Sequence, residues 1–224
     1  ALDQTQISSL TTTQVRGLTA LQIAALNVTD VNEFADTQIA SFASTQIAAL
    51  TVTNFSALDA TQVGGLTTTQ VAGLSTTLLR GLNATDIGEL STTQLGAMTS
   101  VQYSALTSTA FAALDATQVA ALTTTQLRGM TTTQSGGLDT ADVAELSATQ
   151  LGSLATTQIN AFSTTNLATL DHTQLGGLTS TQISRLTSTN LSALDASQIT
   201  SLTTTQLSGL TALQIAGLNT TDVN

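Results

Sequence analysis

The chain repeats itself every eight residues, and that period leaves few folds open to it. Cut at eight-residue steps, its 224 residues fall into 28 octads with no remainder. With octad positions numbered one to eight, position two is Leu in 23 octads; Phe34, Phe42, Met98, Met130 and Phe162 fill the others. Position seven is Ile, Val or Leu in 24, and Phe55, Tyr103, Phe111 and Ser135 complete it. Position five is Thr in 23 octads and position six is Gln in 19. Positions eight and one are mostly Ala, Gly or Ser. Nothing interrupts the register, so residues 1–224 read as one uninterrupted array, in which each unit buries its apolar side chains against its neighbours. Low-complexity disorder is the competing reading. Two regular apolar positions per octad argue against it, because disordered chains lack buriable surface.

One octad carries the signals of a helix start. In Leu66-Thr67-Thr68-Thr69-Gln70-Val71-Ala72-Gly73-Leu74, Thr67 and Gln70 have the spacing of a capping box, and Leu66 and Val71 that of a hydrophobic staple. Position three is Ser, Thr, Asp or Asn, all good N-caps, in every octad except those of Ala35, Ala43 and Ala155. A new start is announced eight residues later. One long helix fits poorly: eight residues turn through about 800°, so the apolar positions would drift off any fixed stripe. The sequence predicts one helix of about five or six residues per octad, followed by a tight turn at the small residues of positions eight and one, where glycine's backbone freedom suits. Such helices cannot stand alone. Stacked by the faces that Val71 and Leu74 share, they give a solenoid with a narrow Leu/Ile/Val core. The alternative is a β-solenoid with 16-residue coils, favoured by the Thr and β-branched content. Its period-two alternation fits poorly, because the apolar positions are separated by five and then three residues, and the capping box has no role in it.

A slower rhythm runs through the octads. Asp3, Asp59, Asp115 and Asp171 stand seven octads apart at position three. Asn27-Val28-Thr29-Asp30 with Glu33, Asn83-Ala84-Thr85-Asp86 with Glu89, and Asp139-Thr140-Ala141-Asp142 with Glu145 repeat on the same step, while Asn219-Thr220-Thr221-Asp222 comes three octads late. Gly17–Ala24 recurs unchanged at Gly209–Ala216. Duplication in blocks larger than one octad accounts for this, and the array reads as a fragment of a longer one. Asn27, Asp30 and Glu33 are oxygen donors, but three donors strung across a helix start do not converge as the six to eight ligands of calcium must. The favoured reading makes Asn27 a cap, Asp30 the acid of its capping box and Glu33 a solvated turn residue. Weak calcium binding is the alternative, not the favoured one.

The sequence offers no catalytic, cofactor-binding or metal-site residues. His172 is the single histidine, placed at an exposed first helical position. The many hydroxyls have no evident base to activate them. Arg16, Arg80, Arg128 and Arg185 are scattered and read as surface charges; Phe55, Tyr103 and Phe111 read as packing variants. Leu78 and Ala110, in place of Gln, and Ser135 in a core position read as drift. The chain reads as no enzyme. Cysteine is absent, which removes disulfides and thiolate metal sites. A net charge of −10 without a lysine is at odds with nucleic-acid binding, and no apolar run approaches the length of a membrane span. Asn27, Asn54, Asn83, Asn190 and Asn219 match the glycosylation pattern Asn-x-Ser/Thr, which arises readily in so Thr-rich an array.

The recurring L-T-x-T-Q-[IVL]-x-[AG]-L pattern, as in Leu122–Gly129 and Leu202–Gly209, resembles the octapeptide-repeat regions of very long bacterial surface or secreted proteins, described as adhesin-like or haem-utilisation-like. The resemblance spans the whole chain and implies an exported protein, extracellular or at the cell surface. No haem-binding residues carry over: Met98 and Met130 occupy the core Leu position and His172 has no partner in sequence. The expected function is structural, an extended spacer, stalk or fibre-forming segment that self-associates end to end or laterally. The alternative is a surface-binding module that meets a glycan or ice through a regular Thr-rich face.

Overall fold

The computed structural model describes residues 4–218. These form 27 helices of four to six residues, one per octad, and no strand occurs among the described residues. The α reading holds. The β-solenoid does not, because extended backbone is confined to the short links between helices.

The cause is local. In the octad of Thr67, the Thr67 hydroxyl accepts from Gln70 N at 3.2 Å, and Gln70 Oε1 accepts from Thr67 N at 2.7 Å. Val71 N bonds Thr67 O at 3.0 Å, and Leu74 N closes the helix on Val71 O at 3.1 Å. Position two, and the N-cap after it, are then extended, as at Leu66 and Thr67, and the next helix begins. Every described Ser, Thr, Asp or Asn at position three accepts from a backbone N–H of its own helix, and where position six is Gln or Asp that side chain completes the box; Thr51, Ser75, Thr107, Ser163 and Thr187 cap through their own oxygen. Ala35, Ala43 and Ala155 have no acceptor and keep only the Gln half of the box. The glycines act differently from expectation. No residue, glycine included, has positive φ among those described, so the turns make no use of glycine's special backbone freedom. Its value is the missing side chain: a Cβ on Gly177 would overlap the Ala148 carbonyl of the preceding turn.

The helices divide into two compact units, Ala1–Leu114 and Asp115–Asn224. Within each, a helix packs on the one three octads later, as Asp36–Ser41 does on Ala60–Gly65 and Ala148–Ser153 on His172–Gly177. Side chains bridge residues 25 to 31 apart, centred on a turn of 28 residues, or three and a half octads. Positions seven and two fill the core of each coil: Val71 and Leu74 in the first unit, Leu151 and Leu154 in the second, are all buried. The packing variants are buried too. Phe34 and Phe42 meet edge to face at 5.2 Å, Tyr103 and Phe111 at 6.2 Å. Burial pushes the Tyr103 phenol well up, and its hydroxyl donates to Leu95 O at 3.1 Å. Ser135, fully buried, returns its hydroxyl to Thr131 O.

Candidate functional site

The group that recurs most often with a defined geometry is the Gln of position six. Its Oε1 caps its own helix, and its Nε2 reaches back one turn. Gln70 Nε2 donates to Ile39 O and Phe42 O, each at 2.8 Å; Gln182 Nε2 donates to Leu151 O at 2.9 Å and Leu154 O at 2.8 Å. The accepting carbonyls, at positions seven and two, belong to the end and the exit of a helix; that of position seven also accepts from the position-two N–H, as Ile39 O does from Phe42 N at 3.1 Å. One buried amide therefore starts one helix and finishes another a turn away. Sequence reasoning found the first role and missed the second. A signal was present: Glu serves a capping box as well as Gln does, yet no Glu occupies position six in any octad. Only the amide carries a donor. The shorter Asn54 and Asn166 reach a single carbonyl, at Leu26 and Leu138.

The turn of 28 residues also explains the slower rhythm, since a step of seven octads is two turns of three and a half. In the first unit the Asp59 marker meets the Asn83–Glu89 marker in space. Burial raises the Glu89 carboxyl, and the charges of Asp86 and Asp59 raise it further. Asp86 is buried; it accepts from Asn83 N at 2.8 Å and from the Ser56 hydroxyl at 2.7 Å. Asn27 and Asp30 form the reciprocal cap at 3.0 and 3.1 Å. Glu33 is half-buried rather than solvated, with its Oε2 enclosed and without a hydrogen-bond partner. In the second unit, burial raises the Asp142 carboxyl; the Asp139 N–H opposes this and the Asp139 charge adds to it. No group of three His, Asp or Glu side chains among the described residues is placed to hold a metal ion. Asp3, Asp222 and Asn219 lie outside the described residues.

His172 is exposed at the first helical position after its cap, Asp171. Its Nε2 lies 2.9 Å from the Ser197 hydroxyl of the next turn, a neighbour that sequence spacing did not reveal. The two sit in a shallow, open hollow with Asp171 and Asp195, whose carboxylates already cap Gln174 N and Gln198 N. The glycosylation patterns separate by burial: Asn54 and Asn190 are buried with their amides donating inward, while Asn27 and Asn83 are exposed caps. Arg16, Arg80, Arg128 and Arg185 are all exposed.

No protein-family model matches the chain, and no curated protein matches it. No helix among the described residues is long and apolar enough to cross a membrane.

Proposed function

We propose that the chain is a structural, non-catalytic spacer: a stalk or fibre-forming segment whose length is set by the number of octads. The repeated amide tie carries this reading. Each added turn brings its own caps, its own core residues and the donors that complete the turn before it, so stability and length grow together in a quasi-one-dimensional array. An exported, extracellular or cell-surface role rests on the resemblance of the octad pattern to bacterial surface proteins. End-to-end association is part of the proposal.

The test is to remove seven octads, two whole turns, and then a second such block, and to measure the maximum dimension by small-angle scattering. Equal decrements per block are expected, with helical circular dichroism per residue unchanged. A dimension that does not follow the octad count overturns the spacer. The Thr-face alternative keeps one point in its favour: the position-five Thr side chains are exposed throughout the described residues. The position-three hydroxyls are taken up in capping. Thermal hysteresis, or retention on a glycan surface, would support that reading.

A further inference from the structure

The turn of 28 residues sorts the charges onto opposite sides. In the first unit, Asp30, Glu33, Asp36, Asp59, Asp86 and Glu89 are brought onto one turn by subtracting whole turns, and all then fall at places 30 to 36, a quarter of the circuit. Half a turn away, at places 44 to 49, fall Arg16, Leu21 and Val101. The second unit repeats the arrangement. Its six described acids, Asp115, Asp139, Asp142, Glu145, Asp171 and Asp195, fall at places 139 to 145, and Arg128, Arg185 and Leu213 fall at 156 and 157. Arg80 lies on a shoulder between the two sides of the first unit.

The apolar residues mark the same side independently. Position five is the outward position, and only Leu21, Val101 and Leu213 place a large apolar side chain there; they are 83%, 64% and 75% exposed. The other departures from Thr, Ala141 and Ser197, are small and lie on the acidic side of the second unit. Two of the arginines are held in place: Arg16 Nε donates to Ser41 O at 2.8 Å and Arg128 Nε to Ser153 O at 2.9 Å, the same contact 25 residues on. Arginines and acids also share a spacing in the second unit. Asp115 and Asp171, like Asp139 and Asp195, are seven octads apart, and Arg128 and Arg185 are separated by one residue more than that. Each side thus repeats every two turns.

We propose that these sides are a lateral interface between copies of this chain, with the arginine and leucine side of one copy against the acidic side of the next. This deepens the spacer reading and rests on it. The contact joins unlike surfaces, so it builds open rows rather than closed dimers. Arginine meets carboxylate at matching two-turn intervals, and Leu213 faces a side where the outward residues are Ala141 and Ser197. The net charge of −10 opposes contact in every other orientation.

The test is sedimentation of the full 224-residue chain over a range of concentrations, in dilute buffer and in about 0.5 M salt, where the screening length shrinks to a few ångströms. One variant clears the basic side: Arg16→Ser, Leu21→Thr, Val101→Thr, Arg128→Ser, Arg185→Ser and Leu213→Thr, each a residue used at that position in other octads. A second removes the capping carboxylates of the acidic side with Asp59→Asn, Asp115→Asn, Asp139→Asn, Asp171→Asn and Asp195→Asn, since Asn caps as well as Asp. The wild-type mass is expected to rise with concentration and to fall to monomer in salt. Each variant alone should stay monomeric, and their mixture should form a one-to-one pair. The acidic-side variant is the sharpest arm: its net charge is smaller, so nonspecific association would increase in it. A monomeric wild type, an acidic-side variant that associates like the wild type, a mixture that stays monomeric, or association that survives salt and both variants overturns the lateral contact. None of these touches the spacer, which stands or falls on the length measurement.

Discussion

Two neighbouring octads of the first unit tie their turns together in opposite directions. In the helix Thr92–Gly96, Gln94 caps Ser91 N with its oxygen and sends its amide back to Val63 O at 2.7 Å and Leu66 O at 2.8 Å. In the helix Ala84–Gly88, Asp86 makes the same cap but has no donor to send. The tie is reversed there, with the Ser56 hydroxyl of the preceding turn donating to Asp86 at 2.7 Å. Both side chains are buried. The contrast shows that the capping box sets only the acceptor at position six, and the joint between turns sets the donor.

The largest effect should come from breaking the joint and leaving the cap. Gln94→Glu keeps the carboxylate oxygen for Ser91 N but places a buried charge against two carbonyls. It should cost about 3 kcal/mol or more, with the loss of amide protection concentrated in the helices on either side. Hydrogen exchange is the right readout, because a repeat array need not unfold in one step. Equal protection in variant and wild type would mean that the amide tie carries little. Ser56→Ala attacks the reversed joint. It leaves the buried Asp86 carboxylate without its donor from the previous turn and should cost about 1–3 kcal/mol. The converse change, Asp86→Gln, restores the ordinary tie and should raise the melting temperature, a gain of about 1 kcal/mol; a decrease would show that Ser56 and Asp86 form the better joint.

Acid sharpens the same comparison. Glu89 and Asp142 have raised carboxyl pKa values in the fold, each chiefly through burial. The folded chain then holds protons that the unfolded chain has released. The stability linked to these groups is fully present below the ordinary carboxylate range and is lost as pH rises through the raised values. Melting temperature should therefore climb as pH is lowered from neutral into the carboxylate range, and Glu89→Gln with Asp142→Asn should flatten that slope. The smallest expected effect concerns the caps. Ala155→Ser supplies the missing half of its box and should add about 0.5–1 kcal/mol, seen as a small rise in the denaturation midpoint.

Much of the local structure was legible in the residues. Thr67 and Gln70 announced a helix start, Val71 and Leu74 a shared buried face, and the next cap eight residues on announced the helix end. Those are short-range effects, in which the side chain and the backbone it satisfies lie within four residues. The roles of Gly177 and Ser197 were not legible. Gly177 is small because Ala148 of another turn lies against it, and Ser197 meets His172 only because 25 residues bring the coil round.

The eight-residue pattern by itself determined that the chain forms capped short helices, which positions are buried, and that nothing breaks the register. The tertiary structure alone decided the 28-residue turn. No octad encodes that number, because it follows from how far one helix must travel before its carbonyls meet the amides of a later one. With the turn fixed, markers seven octads apart within a unit fall on the same side two turns apart, and acids scattered along the sequence gather on one side of each unit.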